Sequence, residues 1–335
     1  MLSLKNLHTF HCDVSANDLI RLESPAKVTQ LFDDGFFSTE KWMLLGGGSN
    51  VLFLKDFEGI ILLNRMKGKE ILAVNESSVL VRFSSGEVWH DIVLWSLEQG
   101  FNGIENLSLI PGTMGAAPIQ NIGAYGVELK DVFISLRAFD TISGEVVTLS
   151  KERCNFGYRD SVFKHELKGR MIILSVDLLL RRDGITDVAY GDILKTLAAR
   201  GFQAPYKPKD VSDAIIQIRQ YKLPDPEVLG NAGSFFKNPV IRTSHYNELK
   251  KEDPDIPGYI VNDSEVKVPA GWLIERCGFK GRRVGNTGSH EKQALVLVNY
   301  GNASGSEIHS LAVEIQQEVA KKFGIEIFPE VNFIE

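Results

Sequence analysis

Short segments scattered along this chain carry residues whose types and spacing could do chemistry. Leu44-Leu45-Gly46-Gly47-Gly48-Ser49-Asn50-Val51 sets consecutive glycines directly after an apolar run. Backbone without Cβ atoms can approach a diphosphate closely and aim its N–H groups at it. No Gly-Lys-Ser/Thr follows, and the third glycine of the dinucleotide-binding fingerprint is missing, so the segment is either a phosphate cradle of another kind or a tight structural turn. A longer stretch, Ile110-Pro111-Gly112-Thr113-Met114-Gly115-Ala116-Ala117-Pro118-Ile119-Gln120-Asn121-Ile122-Gly123-Ala124-Tyr125-Gly126, has no charged residue. It is too rich in small residues and proline for regular structure. It reads as a loop wrapped against a flat apolar ligand, or as a buried structural Ω-loop.

Further segments offer single reactive groups. Phe156-Gly157-Tyr158-Arg159-Asp160-Ser161-Val162-Phe163-Lys164 places a guanidinium among aromatic and small residues. Its planar fork suits a carboxylate ligand, or a structural ion pair with Asp160 or a glutamate. Asn231-Ala232-Gly233-Ser234-Phe235-Phe236-Lys237-Asn238-Pro239 presents a hydroxyl flanked by glycine and aromatics, and Phe328-Pro329-Glu330-Val331 a carboxyl in an apolar terminal run. Burial would raise that carboxyl's pKa and prepare it for proton or hydrogen-bond work; a glutamate on the solvent side of a strand is the plainer alternative. His290 reads as a loop or interface histidine. Cys12, Cys154 and Cys277 are odd in number and widely spaced, which fits reduced core thiols and neither disulfides nor a metal cage.

The elements that must position these groups can be read from periodicity. Apolar strands are expected at Trp42 to Leu45, Ile60 to Leu63, Val79 to Phe83, Val132 to Phe139 and Met171 to Leu179. A helix is expected after a Ser84/Glu87 capping box, with Val88, Ile92 and Trp95 on one face and Gly100 as its stop. After Pro-bearing segments around 200–226 come helices near Asp213 to Tyr221 and Ala270 to Cys277, and the strand Ala294 to Asn299. A final helix follows, with a Ser304/Glu307 capping box and the stripe Ile308, Leu311, Ile315, Val319 and Phe323 before Gly324, and then a closing strand from Ile325 to Ile334. The class is α+β. At 335 residues the chain is long enough for two or three domains. A net charge of −6 leaves no broad basic field for a nucleic-acid backbone. With no apolar run of signal-peptide or membrane-spanning length, the expected place is the cytoplasm, off the membrane.

Taken together, the segments resemble the UDP-N-acetylenolpyruvoylglucosamine reductase family in its longer, type I form. From Gly46 to Glu330 the family's motifs occur in order: GGGSN, IPGTMGAAPIQNIGAYG, FGYRDSVFK, AYGD, KLPDP, GNAGSFFKNP, AGWLIERCG and QALVLVN. The resemblance implies a vanillyl-alcohol-oxidase (PCMH)-type FAD-binding fold of two α/β subdomains, about 1–68 and 69–205. A C-terminal α/β substrate-binding domain over 206–324 and a terminal strand over 325–335 that returns to the active site complete the implied chain.

The implied activity takes electrons from NADPH, passes them through non-covalent FAD and reduces the enolpyruvyl ether of UDP-N-acetylglucosamine, within a monomer. The resemblance assigns Gly46, Gly47, Gly48, Ser49 and Asn50, with Ile110, Pro111, Gly112, Thr113, Gly115, Ala116, Ile119, Asn121, Ile122 and Gly123, to FAD. Neither loop contains a histidine to which flavin could be linked. It makes Arg159 and Glu330 the groups that polarise the substrate carboxylate and Ser234 the acid that protonates the carbanionic carbon. It gives Tyr158, Tyr190, Lys222, Asn238 and Gln293 to the UDP-sugar, with Tyr190 on a mobile loop. The chain departs from close relatives at Asn332, where they often place an arginine near the flavin, and over Gly285 to His290. An oxidase of the same fold would explain the glycine-rich loops but not Ser234, Glu330 and the C-terminal motifs as a set. A UDP-sugar sensor without catalysis would be expected to lose Ser234, Arg159 or Glu330, and all three are present.

Overall fold

The computed structural model describes all 335 residues. The chain forms two compact units that interleave in sequence: Met1–Leu2, Ala16–Gly47 and Glu58–Gln220 make the first, and Ser3–Ser15, Gly48–Phe57 and Tyr221–Glu335 the second.

The larger sheet of the first unit is antiparallel, with strands in the order Val146–Ser150, Phe133–Asp140, Met171–Arg181, Ser78–Ser84 and Lys69–Val74. Ser78–Ser84 shows why: buried Val79, Val81 and Phe83 alternate with less buried residues, the period-2 pattern of a strand with one face in the core. On the other face Arg82 stands opposite Asp177 in the ladder and grips it through two bonds of 2.8 and 2.9 Å. The helix Trp89–Glu98 packs Trp89, Ile92 and Val93 into the same core. A smaller sheet pairs Trp42–Leu45 in parallel with Phe57–Asn64. Helices Ile193–Ala199 and Pro208–Lys222 share a separate cluster of Ile193, Leu197, Val211, Ala214, Ile215 and Ile218, against which Tyr125 packs.

The second unit holds a four-stranded sheet in the order Gly230–Ser234, Val296–Asn299, Thr287–Ser289 and Arg283–Val284, and a three-stranded one of Val240–Arg242, Glu265–Lys267 and Tyr259–Asn262. The helix Gly305–Phe323 has both bonds of the Ser304/Glu307 capping box, the expected buried stripe and a left-handed Gly324 as its stop.

Two sequence readings are corrected. Ser84 and Glu87 form no capping box; the helix begins at Trp89 with Val88 as an extended cap residue and no side-chain cap. Residues 85–88 instead keep bonding the long loop, Met114 N donating to Glu87 O at 2.8 Å, while the Glu87 carboxylate accepts from Gly68 N at 2.8 Å. The closing strand is only Asn332–Ile334, because regular pairing begins only where it runs in parallel along Val51–Phe53. The cysteines are free thiols, and burial pushes Cys12 up to about 11 and Cys154 up to about 12, which makes both unreactive.

Candidate active site

In the first unit the two glycine-rich segments meet. A Cβ built on Gly46 would stand 2.5 Å from Thr113 Oγ1, and one on Gly47 would stand 3.0 Å from Gly112 Cα. Side chains at either position would drive the segments apart, so the glycines are there for close backbone approach. Arg65 donates to the Gly46 carbonyl at 3.3 Å. A Cβ on Gly115 would lie 2.7 Å from Ser85 Cβ, so the long loop is also pressed against the strand beneath it. The two loops thus pack backbone against backbone, and neither contains a histidine. Ser49 and Asn50 continue the first loop within the second unit.

The long loop is organised by its own polar side chains. Asn121, left-handed at φ 44°, donates to Glu128 Oε2 and Gly157 O, both at 3.0 Å, and accepts from Lys130 N at 3.0 Å. Asparagine tolerates that conformation better than most residues. Ser161 Oγ donates to Ile119 O at 2.6 Å, so the Arg159 segment is stitched to the same loop.

Arg159 is itself left-handed at φ 53° and half-buried, and donates through Nη2 to Gly123 O at 2.5 Å, with its guanidinium 5.6 Å from the Tyr158 ring centre. A Cβ on Gly123 would come 3.1 Å from Arg159 Nη1, so that glycine makes room for the cation. Asp160, a conceivable partner, pairs with His165 at 2.8 Å. Tyr190 lies edge-on to Tyr125, ring centres 6.3 Å apart, and faces the open side of Gly126; it is 48% exposed.

Two neighbours of this loop were not singled out from sequence. Arg219 lies on the helix Pro208–Lys222, seven residues after Ser212 and therefore on the same face, and Ser212 bonds Ser108 at 2.7 Å. Its Nε is buried without a partner, and its guanidinium hydrogen-bonds Tyr125 and feels the charge of Arg159. Burial lowers its pKa, yet a guanidinium stays charged, so this corner is positive and favours anionic groups. The second neighbour is His90, whose Nδ1 accepts from Leu109 N at 3.0 Å. The signal for Arg219 was its helical spacing from Ser212; His90 lay inside the expected helix with nothing to distinguish it.

In the second unit Ser234 ends a strand whose pairing slips between Asn231 and Ser234, with Gly233 left-handed at φ 69°. Buried Asn231 holds that bulge by accepting from Gly233 N at 2.8 Å. A bulge of this kind re-aims the next side chain, and Ser234 is exposed. The following residues pair with the chain terminus: Glu330 N donates to Phe235 O at 2.8 Å and Lys237 N to Phe328 O at 2.9 Å. The half-buried Glu330 thus lies on the chain segment that pairs with the residues just after Ser234. Asn50 Nδ2 donates to Glu330 O at 3.2 Å, and Asn332 bonds Asn50 O through its backbone N at 3.1 Å and through Nδ2 at 3.0 Å. The departure at Asn332 therefore supports the end of the first glycine loop.

Asn238 Oδ1 accepts from Ala270 N at 2.9 Å, and a Cβ on the next residue, Gly271, would lie 3.0 Å from Gln293 Oε1. Asn238 and Gln293 therefore each lie against the start of the helix Ala270–Arg276. Lys222 sits half-buried at the end of its helix. Within the variable 285–290 segment, Thr287 and Ser289 are buried in the sheet and bond Val298 O and Ala294 O, a structural role. No group of His, Cys, Asp or Glu could hold a metal ion, and no helix is long and apolar enough to cross a membrane.

The family model for the C-terminal domain of UDP-N-acetylenolpyruvoylglucosamine reductase matches residues 225–334, and that for an FAD binding domain matches residues 20–150. The UDP-N-acetylenolpyruvoylglucosamine reductase of Flavobacterium johnsoniae is 48% identical over 333 residues, spanning 99% of this chain and 98% of that protein. The one from Burkholderia mallei is 47% identical over 326 residues, 97% of this chain and 94% of its own. The crystal structure of the Thermus caldophilus reductase covers 100% of this chain and 98% of its own, with a TM-score of 0.64 at 20% identity, a likeness of fold. The expected fold class, an FAD-binding α/β fold with an appended α/β domain, is borne out.

Proposed function

This chain belongs to the UDP-N-acetylenolpyruvoylglucosamine reductase family, and we propose how its residues divide that family's work. It is an FAD-dependent oxidoreductase of peptidoglycan precursor synthesis, reducing UDP-N-acetyl-3-O-(1-carboxyvinyl)-glucosamine to UDP-N-acetylmuramate with NADPH. FAD held by this chain would supply the hydride chemistry between NADPH and the vinyl group.

The loops Gly46 to Asn50 and Ile110 to Gly123 hold the cofactor. Arg159 and Glu330, the latter as the protonated acid, polarise the substrate carboxylate, on which negative charge builds as hydride arrives, and such charge needs groups already in place. Ser234 gives its hydroxyl proton to the carbon beside that carboxylate. Tyr158, Tyr190, Lys222, Asn238 and Gln293 hold the UDP-sugar, with Tyr190 closing over it. Residues 1–205 serve FAD, 206–324 serve the substrate, and 325–335 return Glu330 to the reaction. A cytoplasmic monomer completes the reading.

The observation that supports it best is the backbone bond from Glu330 N to Phe235 O, which runs the chain at Glu330 alongside the bulge that bears Ser234. The test is direct. The purified protein should be yellow, and its NADPH oxidation should require the enolpyruvyl UDP-sugar. Equal NADPH oxidation with oxygen alone would favour an oxidase instead.

A further inference from the structure

The turn at Leu109 is one of the left-handed non-glycine positions at the long loop, with Asn121, Tyr125 and Arg159. Leu109 adopts φ 59°, a left-handed conformation for which leucine has neither the freedom of glycine nor the local hydrogen bonds of asparagine. It begins the segment that runs through Ile110 and Pro111 into the glycine-rich loop. Its amide is aimed at one acceptor, Nδ1 of His90 at 3.0 Å.

His90 belongs to a short grip. The neighbouring Trp89 donates through Nε1 to Leu107 O at 2.9 Å and through its backbone N to Gly112 O at 3.0 Å, while Met114 N donates to Glu87 O at 2.8 Å. Residues 87–90 therefore hold both ends of the stretch from Leu107 to Met114. Every bond of this grip joins groups that keep their protonation near neutral pH, except the one at His90. An imidazole nitrogen accepts only while it carries no proton, so the bond requires the neutral ring with hydrogen on Nε2.

We propose that His90 is a positioning residue for the cofactor: its neutral imidazole latches the Leu109 turn, fixes the FAD loop behind it, and releases that loop when protonated. The proposal rests on the reading that residues 110–123 hold FAD. The surroundings keep the latch closed at neutral pH. Burial disfavours the imidazolium most, Asp91 on its own helix favours it, and the Arg219 cation on the helix Pro208–Lys222 disfavours it. The net effect lowers the His90 pKa, so release belongs on the acid side of the ordinary imidazole range of about 6.5.

The experiment follows FAD release from the intact, flavin-loaded protein after dilution, as recovery of free-flavin fluorescence, from about pH 8 to about pH 5. Wild type should release FAD slowly at neutral pH and about tenfold faster or more in acid, the change expected for one net hydrogen bond. His90→Asn places an acceptor oxygen near the Nδ1 position and cannot be protonated, so its release should stay slow and flat with pH. His90→Ala should release FAD about tenfold faster at every pH, without an acid step. An acid step retained in His90→Asn would overturn the latch, as would wild-type release rates in His90→Ala. If His90→Ala does not fold, the flat or stepped profile of His90→Asn decides alone. Wild-type protein that carries no FAD would instead refute the cofactor reading.

Discussion

Glu330 donates its backbone N–H to the carbonyl of Phe235, the residue after Ser234, at 2.8 Å. The backbone of a residue five positions from the end of the chain is thereby tied to the residue that follows Ser234, and the two can be tested together.

If Ser234 supplies the proton only after hydride has been transferred, Ser234→Ala should still bleach its flavin with NADPH at the normal rate. Reoxidation by the enolpyruvyl UDP-sugar should slow by ~10²- to 10⁴-fold or more, the usual range for a lost general acid. Ser234→Cys, which keeps a donor, should recover part of the loss. Stopped-flow measurement of each half-reaction separates the steps, and normal reoxidation by Ser234→Ala would remove serine from this role.

Tyr190 rests edge-on against Tyr125 and is half exposed, and its proposed role is to close over the UDP-sugar. Tyr190→Phe should raise the KM for the UDP-sugar several-fold and leave flavin reduction by NADPH unchanged. A selective loss of flavin reduction would contradict that assignment.

Neither FAD loop contains a histidine, so acid precipitation should leave a colourless pellet and release all flavin to the supernatant. Flavin retained on the denatured chain would show a covalent link elsewhere.

Asp140 is buried and accepts two bonds from Arg170, at 2.9 and 2.5 Å, and the Arg170 guanidinium holds its pKa down at about 2. A depressed carboxylate pKa stabilises the fold above the unfolded value of about 3.9, and that contribution is lost as pH falls through the folded value. Because Arg170 is partly exposed, solvent screening reduces the effect, and Asp140→Asn should cost about 1–2 kcal/mol at neutral pH. The gap between variant and wild type in denaturant melts should close between about pH 4 and about pH 2. A gap that persists at the acid end would assign the cost to packing.

Much of the local structure was legible in the chain itself. Val79, Val81 and Phe83 announced a half-buried strand by alternation, and Ser304, Glu307 and Gly324 marked both ends of the last helix, because these signals depend only on neighbours in sequence. The Ser84/Glu87 pattern is the same kind of signal and failed. Residues 85–88 had a competing partner in the loop more than twenty residues later, and nothing local reports such a partner.

The site divides along the same line. By itself the sequence determined the residue types, the order of the motifs and hence the family, the flavin and the reaction, since chemistry of this kind leaves fixed residues at fixed spacings. Only the tertiary structure decided which groups stand together. It set Gly46 against Thr113, gave the Asn332 amide to Asn50, put Arg219 beside Tyr125 and aimed Leu109 at His90. Each of those pairs comes from long-range folding, in which buried polar groups must find partners wherever the chain brings them, and spacing along the sequence carries no record of that choice.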